Sequence, residues 1–224
     1  MYKPIQSKGR GHYGNNLWDA YSPKLNRMVR LYSDLERDHW VLIETNPNVR
    51  TFCEQPLKVS VPVEGRIVST IFDMWVQWTN ETESFIEIKY SNSFHQSHPN
   101  YEDVRVQTTA QKVWCLENKY EYIIRTEEEI RKNTLLISNM KRILSFIRNR
   151  SNPVETDCFQ IMRSIQQHGK ISAQQLEIML PNISQSRIYE ALSWLFYRSE
   201  IQANFEGDEF GPKMEVSRTC QEER

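Results

Sequence analysis

Residues 66–91 read RIVSTIFDMWVQWTNETESFIEIKYS. Val68, Phe72, Met74, Val76 and Trp78 fall largely on one apolar register, which predicts one long strand from Arg66 to Thr79. Asn80 to Glu83 is a polar turn and Ser84 to Ser91 the next strand, so the two are expected to pair as an antiparallel hairpin. Within Phe85-Ile86-Glu87-Ile88-Lys89 the alternation of a strand puts Glu87 and Lys89 on one face and Ile86 and Ile88 on the other. Asp73 interrupts the apolar run Ile71-Phe72-Asp73-Met74-Trp75, where an unpaired carboxylate is costly to bury. The hairpin can bring Asp73 beside Glu87. Two carboxylates that close repel each other unless a hard cation sits between them, and Mg2+ or Mn2+ is the natural occupant.

Outward from this hairpin, Leu57 to Val63 alternates as a strand, and Met28 to Tyr32 has the composition of a short one. Between them, Ser33 opens a helix that runs to about Glu44 and is stopped by Asn46-Pro47-Asn48. Glu36 shares a helical stripe with Trp40 and Ile43, so it faces the sheet and supplies a third acid. Each acid also has a plainer reading. Ser33-x-x-Glu36 is a capping-box spacing whose carboxylate could simply satisfy the amide of Ser33, and Glu87 with Lys89 could be no more than a strand-face charge pair. Residues 1–22 lack periodicity and read as an irregular arm.

Downstream, Asn92 to Asn100 is a loop, Tyr101 to Asn118 a helix and Tyr120 to Arg125 a strand. Thr126 and Glu129 then introduce a helical stretch ending near Arg150. Strands that first meander and then connect through a helix indicate an α/β fold, a mixed sheet flanked by helices. Asn149 to Pro153 reads as a linker, so domains are expected at 1–150 and 151–224. In the second, helical patterns at Asp157 to His168, Ser172 to Met179 and Ser184 to Arg198 precede a polar hairpin-like tail, Glu200 to Ser217. That order describes a winged helix-turn-helix with its third helix in the recognition position.

The chain's 224 residues, 39% of them hydrophobic, suffice for one good core and a second, smaller unit. No apolar run reaches the length of about 18 residues that a membrane span needs, and a soluble, cytoplasmic protein is expected. Cys53, Cys115, Cys158 and Cys220 lie far apart, and with His95 and His98 in a loop they form no zinc-type spacing. Net charge is −1, but it is uneven: residues 151–224 carry 7 Lys or Arg against 11 Asp or Glu, and residues 1–150 carry 21 against 18. A DNA-gripping surface is therefore expected mainly in the larger part. Basic residues concentrate there at Lys3, Lys8, Arg10, Lys24, Arg27 and Arg30, and again from Arg131 to Arg150. Lys24, Arg27 and, at the start of the third C-terminal helix, Arg187 are the candidates for DNA contact. Because Arg187 is the only cation there and its domain is acidic, protein docking is favoured over sequence reading for that domain.

Ser33-Asp34-Leu35-Glu36, the run Asn46-Pro47-Asn48-Val49-Arg50-Thr51-Phe52-Cys53-Glu54-Gln55-Pro56, Phe72-Asp73 and Glu87-Ile88-Lys89 follow one another in the order seen in TnsA-type transposon endonucleases. The sequence resembles the N-terminal domain of that family over roughly residues 10–145, including Gly14, the Ser22-to-Arg27 segment and Ile124 to Ile130. The resemblance implies a restriction-endonuclease-like fold and a Mg2+-dependent site, with Mn2+ able to substitute. It assigns catalysis to Glu36, Asp73, Glu87 and Lys89, the metal to Glu36, Asp73 and Glu87 with Ile88, and support to Gln55. Some relatives carry Gln where Glu87 stands. It further implies a nucleoid-associated subunit that cuts the 5′ ends of a transposon, while a TnsB-type transposase cuts and joins the 3′ ends. An ATP-dependent TnsC-type regulator links both to the target. Two other functions fit the residues: a stand-alone restriction-like or junction-resolving nuclease, and a non-catalytic DNA-end assembly factor. Against the second, a dead site has no physical reason to keep repelling carboxylates together.

Overall fold

A computed structural model of the chain describes residues 2–5 and 16–219, so Lys8, Arg10, Gly14 and Cys220 lie outside the described residues. These residues divide into two units, one of residues up to Glu44 with Asn48–Lys132, the other of Thr45–Pro47 with the residues from Asn133 on.

The first unit begins with an antiparallel pair, β1 (Trp18–Ser22) and β2 (Arg27–Leu31), registered Trp18 to Leu31 and Ser22 to Arg27. β1 lies inside the arm expected to be irregular. Its residues lack a long alternating run, and its pairing rests on tertiary anchors: Asn26 adopts the left-handed conformation in the turn, and the buried Glu44 carboxylate accepts from Ser22 Oγ (2.5 Å) and Lys24 N (2.8 Å). Glu44 belongs to α1 (Asp34–Thr45), which starts and ends within a residue of its expected limits.

β3 (Val49–Glu54), β4 (Lys58–Val63), β5 (Arg66–Ile71), β6 (Met74–Trp78) and β7 (Glu83–Ile88) follow, then a 3-10 turn at Ser91–Phe94, α2 (Tyr101–Asn118) and β8 (Glu121–Arg125). The four-stranded sheet has the order β3-β6-β7-β8. Its first two pairings are antiparallel, while β7 and β8 are parallel and joined through α2, as a helical crossover requires. One strand expected across residues 66–79 is instead two. β5 pairs only with β4, and from Met74 onward the chain pairs with β3 and β7. At the step between them, Phe72 N donates to Leu57 O (3.3 Å) and Gln55 N to Asp73 O (2.9 Å), which ties the step to the end of β3 and the start of β4.

Phe72, Trp75, Phe85, Val59, Val61 and Val63 form the core of this unit with Val106, Ala110 and Cys115 of α2. Phe72 and Phe85 are fully buried, with ring centroids 4.6 Å apart; burying each is worth about 1.5–3 kcal/mol. α2 is thereby pinned across β4, β5 and β8. After β8, Thr126 and Glu129 make the capping box that opens the short α3 (Glu127–Ile130).

The second unit contains α4 (Thr134–Ile147), α5 (Glu155–His168), β9 (Lys170–Ser172), α6 (Ala173–Met179), α7 (Gln185–Tyr197), β10 (Ile201–Ala203) and β11 (Glu215–Arg218). Its three strands form an antiparallel sheet in the order β10-β11-β9. The two units divide after Lys132, not at the Asn149–Pro153 linker, because α4 packs against α7. Asn139 of α4 is 2% exposed and saturated: Nδ2 donates to Phe205 O (2.9 Å) and Asp208 O (2.8 Å), and Oδ1 accepts from Phe210 N (2.9 Å). α7 packs against α4, α5 and α6, and every residue from Ile188 to Leu195 is buried.

Candidate active site

Asp73 stands at the step between β5 and β6, where the ribbon changes partners. Its Oδ2 accepts from Ile88 N at 2.7 Å, which fastens the step to the end of β7; Oδ1 takes no hydrogen bond among the described residues. Ile88 thus enters the site through its main chain. The register Met74 to Ile86 sets Asp73 beside Glu87, as the hairpin reading expects.

Glu87 is fully buried in β7. Its Oε1 accepts from Lys89 Nζ (2.6 Å) and Gln107 Nε2 (2.7 Å), and its Oε2 from Gln111 Nε2 (2.7 Å). Gln107 and Gln111 lie one turn apart on α2, so both amides reach the same carboxylate. Gln111 also donates to Thr70 Oγ1 (3.2 Å), and its Oε1 accepts from the Tyr122 hydroxyl (2.7 Å). The sequence reading passed over Gln107, Gln111 and Tyr122. The available signal was a pair of amides at helical spacing on a face that also carries the buried Val104 and Ala110.

Glu36 approaches from α1. Its Oε2 accepts from Tyr32 N (2.9 Å) and its Oε1 from Ser33 Oγ (3.2 Å), so it serves as a helix cap while its charge acts on Asp73 and Lys89. The amide it satisfies is that of Tyr32, one residue before the expected Ser33.

Three acids around one ammonium leave an excess of negative charge. Burial, followed by repulsion from Asp73, pushes Glu36 up to about 7 and Glu87 up to about 8, and burial raises Asp73 as well. Burial alone would lower Lys89, but the surrounding carboxylates, Glu87 foremost, hold it above the ordinary lysine range. Burial and the charges of Glu87 and Asp73 likewise keep Tyr122 a proton donor.

These shifts carry a sign. Between pH 6.5 and 8 the folded carboxyls retain protons that the unfolded chain has released, so without metal, stability falls as pH rises through that window. The loss should be on the order of 2 kcal/mol. Below it the buried His39, lowered to about 3 by burial, acts in the opposite direction. Melting in EDTA at pH 6.5 and 8.0 should show a lower transition at the higher pH, and Glu87→Gln should flatten the difference. An undiminished slope in that variant would place its source elsewhere.

Gln55 meets the site through its main chain. Held at φ 42°, it donates its N–H to Asp73 O and accepts from Ile5 N at 2.9 Å. The proposed DNA contacts are placed differently from what a free cationic surface requires. Lys24 Nζ donates to Val49 O (2.9 Å), Arg27 forks onto the buried Glu54 (2.6 Å on both arms), and Arg187 onto the buried Asp157 (2.8 and 2.6 Å). Each of these side chains is therefore held by a partner within its own fold. Among the described residues no three Asp, Glu, His or Cys side chains are gathered as a ready-made metal cluster, in keeping with Gln107, Gln111 and Lys89 occupying Glu87.

Residues 46–127 match the family model described as TnsA-like endonuclease N terminal, which takes in Asp73, Glu87, Lys89, Gln107 and Gln111, while Glu36 precedes it. No curated protein matches the chain.

Proposed function

We propose that this chain, whose residues 46–127 match the TnsA-like endonuclease N-terminal family model, is the divalent-metal-dependent endonuclease subunit of a heteromeric transposase and cuts the 5′ ends of its transposon. The observation that carries the reading is the placement of Asp73 beside Glu87 by the β6–β7 register, with Glu87 paired to Lys89 and the charge of Glu36 acting on both Asp73 and Lys89. The donor set fits Mg2+ or Mn2+: every side-chain ligand is an oxygen, a cation relieves the mutual repulsion, and Asp73 Oδ1 is free to accept one. Glu36, Asp73 and Glu87, with the main chain of Ile88, would hold it. When bound, such an ion neutralises the phosphate and lowers the pKa of an attacking water. Lys89, kept charged by its carboxylate neighbours, fixes that water or the scissile phosphate as a point charge. Without a metal ion, Lys89 balances the charge at Glu87 Oε1 and Gln107 adds a neutral hydrogen bond to the same oxygen.

The restriction-endonuclease-like fold is supported by the mixed sheet with its α2 crossover and by the placement of Asp73 just before β6 and Glu87 in β7. A winged helix is supported in the second unit by α5, α6 and α7 followed by the β10–β11 hairpin, with β9 completing the sheet. Protein docking, to the TnsB-type transposase or the TnsC-type regulator, suits that unit better than groove reading. α7 is buried from Ile188 to Leu195, and Arg187 is held by Asp157. No helix among the described residues is long and apolar enough to cross a membrane.

The test is cleavage of strand-labelled transposon-end DNA by the purified protein with its partner transposase and regulator. A 5′-strand cut that needs Mg2+ or Mn2+ and disappears in EDTA is expected. Cutting without metal contradicts the reading, and efficient cutting by the isolated chain points instead to a stand-alone nuclease.

A further inference from the structure

We infer that Gln111, oriented by Tyr122, is a positioning residue that fixes the Glu87 carboxylate for metal binding; the inference rests on the metal-site reading above. The geometry is closed at every atom. Tyr122 Oη donates to Gln111 Oε1, which settles the amide's orientation, and Gln111 Nε2 is thereby turned toward Glu87 Oε2 and Thr70 Oγ1. Gln111 is fully buried on α2, and the amide therefore has no water to exchange with. Three elements, β8, α2 and β7, contribute one member each to the chain of bonds Tyr122 to Gln111 to Glu87.

The consequence is a division between the two oxygens of Glu87. Oε2 is tied to a rigid, saturated donor, whereas Oε1 is shared by the partly exposed Gln107 and Lys89. Glu87 Oε1, from which those two side chains can withdraw, would be the oxygen open to a cation, while Gln111 keeps the carboxylate plane fixed. Hydrogen-bonded partners behind a metal ligand typically govern affinity by 10–100-fold.

The test is calorimetric titration of the full chain with MnCl2, alongside metal-free melting. Gln111→Leu should weaken Mn2+ binding at least tenfold, and Tyr122→Phe, which removes only the hydroxyl, about threefold. Because Tyr122 acts through Gln111, the double variant should bind no more weakly than Gln111→Leu alone. Should Gln111→Leu fail to fold, Tyr122→Phe carries the test. Wild-type Mn2+ affinity in whichever variant folds overturns the positioning role, as does a Tyr122→Phe penalty that persists in the Gln111→Leu background. Asp73→Ala separates this from the larger reading. If it loses Mn2+ while Gln111→Leu keeps it, only the positioning role falls; if it binds like wild type, the metal site itself is misplaced.

Discussion

Asp73→Ala should lower 5′-strand cleavage by at least about a thousandfold, equivalent to about 4 kcal/mol of transition-state stabilisation, while the TnsB-type transposase continues to cut the 3′ strand. The fold should survive. Removing the carboxylate leaves Ile88 N without its acceptor, at about 1–3 kcal/mol, but also removes a buried charge that repels Glu87 and Glu36. The two effects offset, so melting should move little. Asp73→Asn sharpens the experiment, because its amide oxygen can still accept from Ile88 N. It should be at least as stable as wild type and equally inactive. A denaturing gel of strand-labelled ends decides: surviving 5′ cleavage in either variant removes Asp73 from the catalytic set.

The second large effect is on stability. Asn139→Leu keeps roughly the volume of the side chain and deletes three hydrogen bonds in a site that is 2% exposed. The carbonyls of Phe205 and Asp208 and the N–H of Phe210 are then left to find other partners. At about 1–3 kcal/mol per buried group left unpaired, with some relaxation toward water, the cost should be about 3–5 kcal/mol. Phe205 and Phe210, 5% and 0% exposed, are set by that loop and should loosen with it. Urea unfolding measures the loss. A change below about 1 kcal/mol would mean that the aromatic packing, not the amide, orders residues 205–210.

Much of the first unit is legible in the sequence. α1, β4, α2 and β8 follow from periodicity, and the capping box at Thr126 marks the start of α3. Glu87 and Lys89 fall on one face because strand alternation is strict over a few residues. What escaped has a common cause. The step at Asp73 cannot be read from an unbroken apolar register, because both halves are buried against different partners and the pattern does not record which. β1 lies in a stretch without an apolar alternation and β9 has only three residues, and both are fixed by anchors distant in sequence, Glu44 for one and β11 for the other. α4 was given to the wrong unit because a polar linker is conspicuous, whereas the packing of an amphipathic helix is not. The arginines and lysine expected to grip DNA carry acidic partners or a carbonyl that no local motif announces. Gln111 was missed because an amide on an apolar helix face has no chemistry until its neighbours are known.

The change of partners at Phe72–Asp73 also divides the ribbon mechanically. As strands β4 and β5 pair only with each other among the described residues, and they pack on α2, while the phase of Asp73 and Glu87 is set by β3, β6 and β7. A residue gained or lost between Met74 and Ile86 would turn one carboxylate away from the other. One gained at the Glu64-Gly65 tip, where Gly65 already takes φ 77°, is absorbed before the step. The tip of that hairpin can therefore change in length without re-timing the acids, even though its second strand runs directly into Asp73.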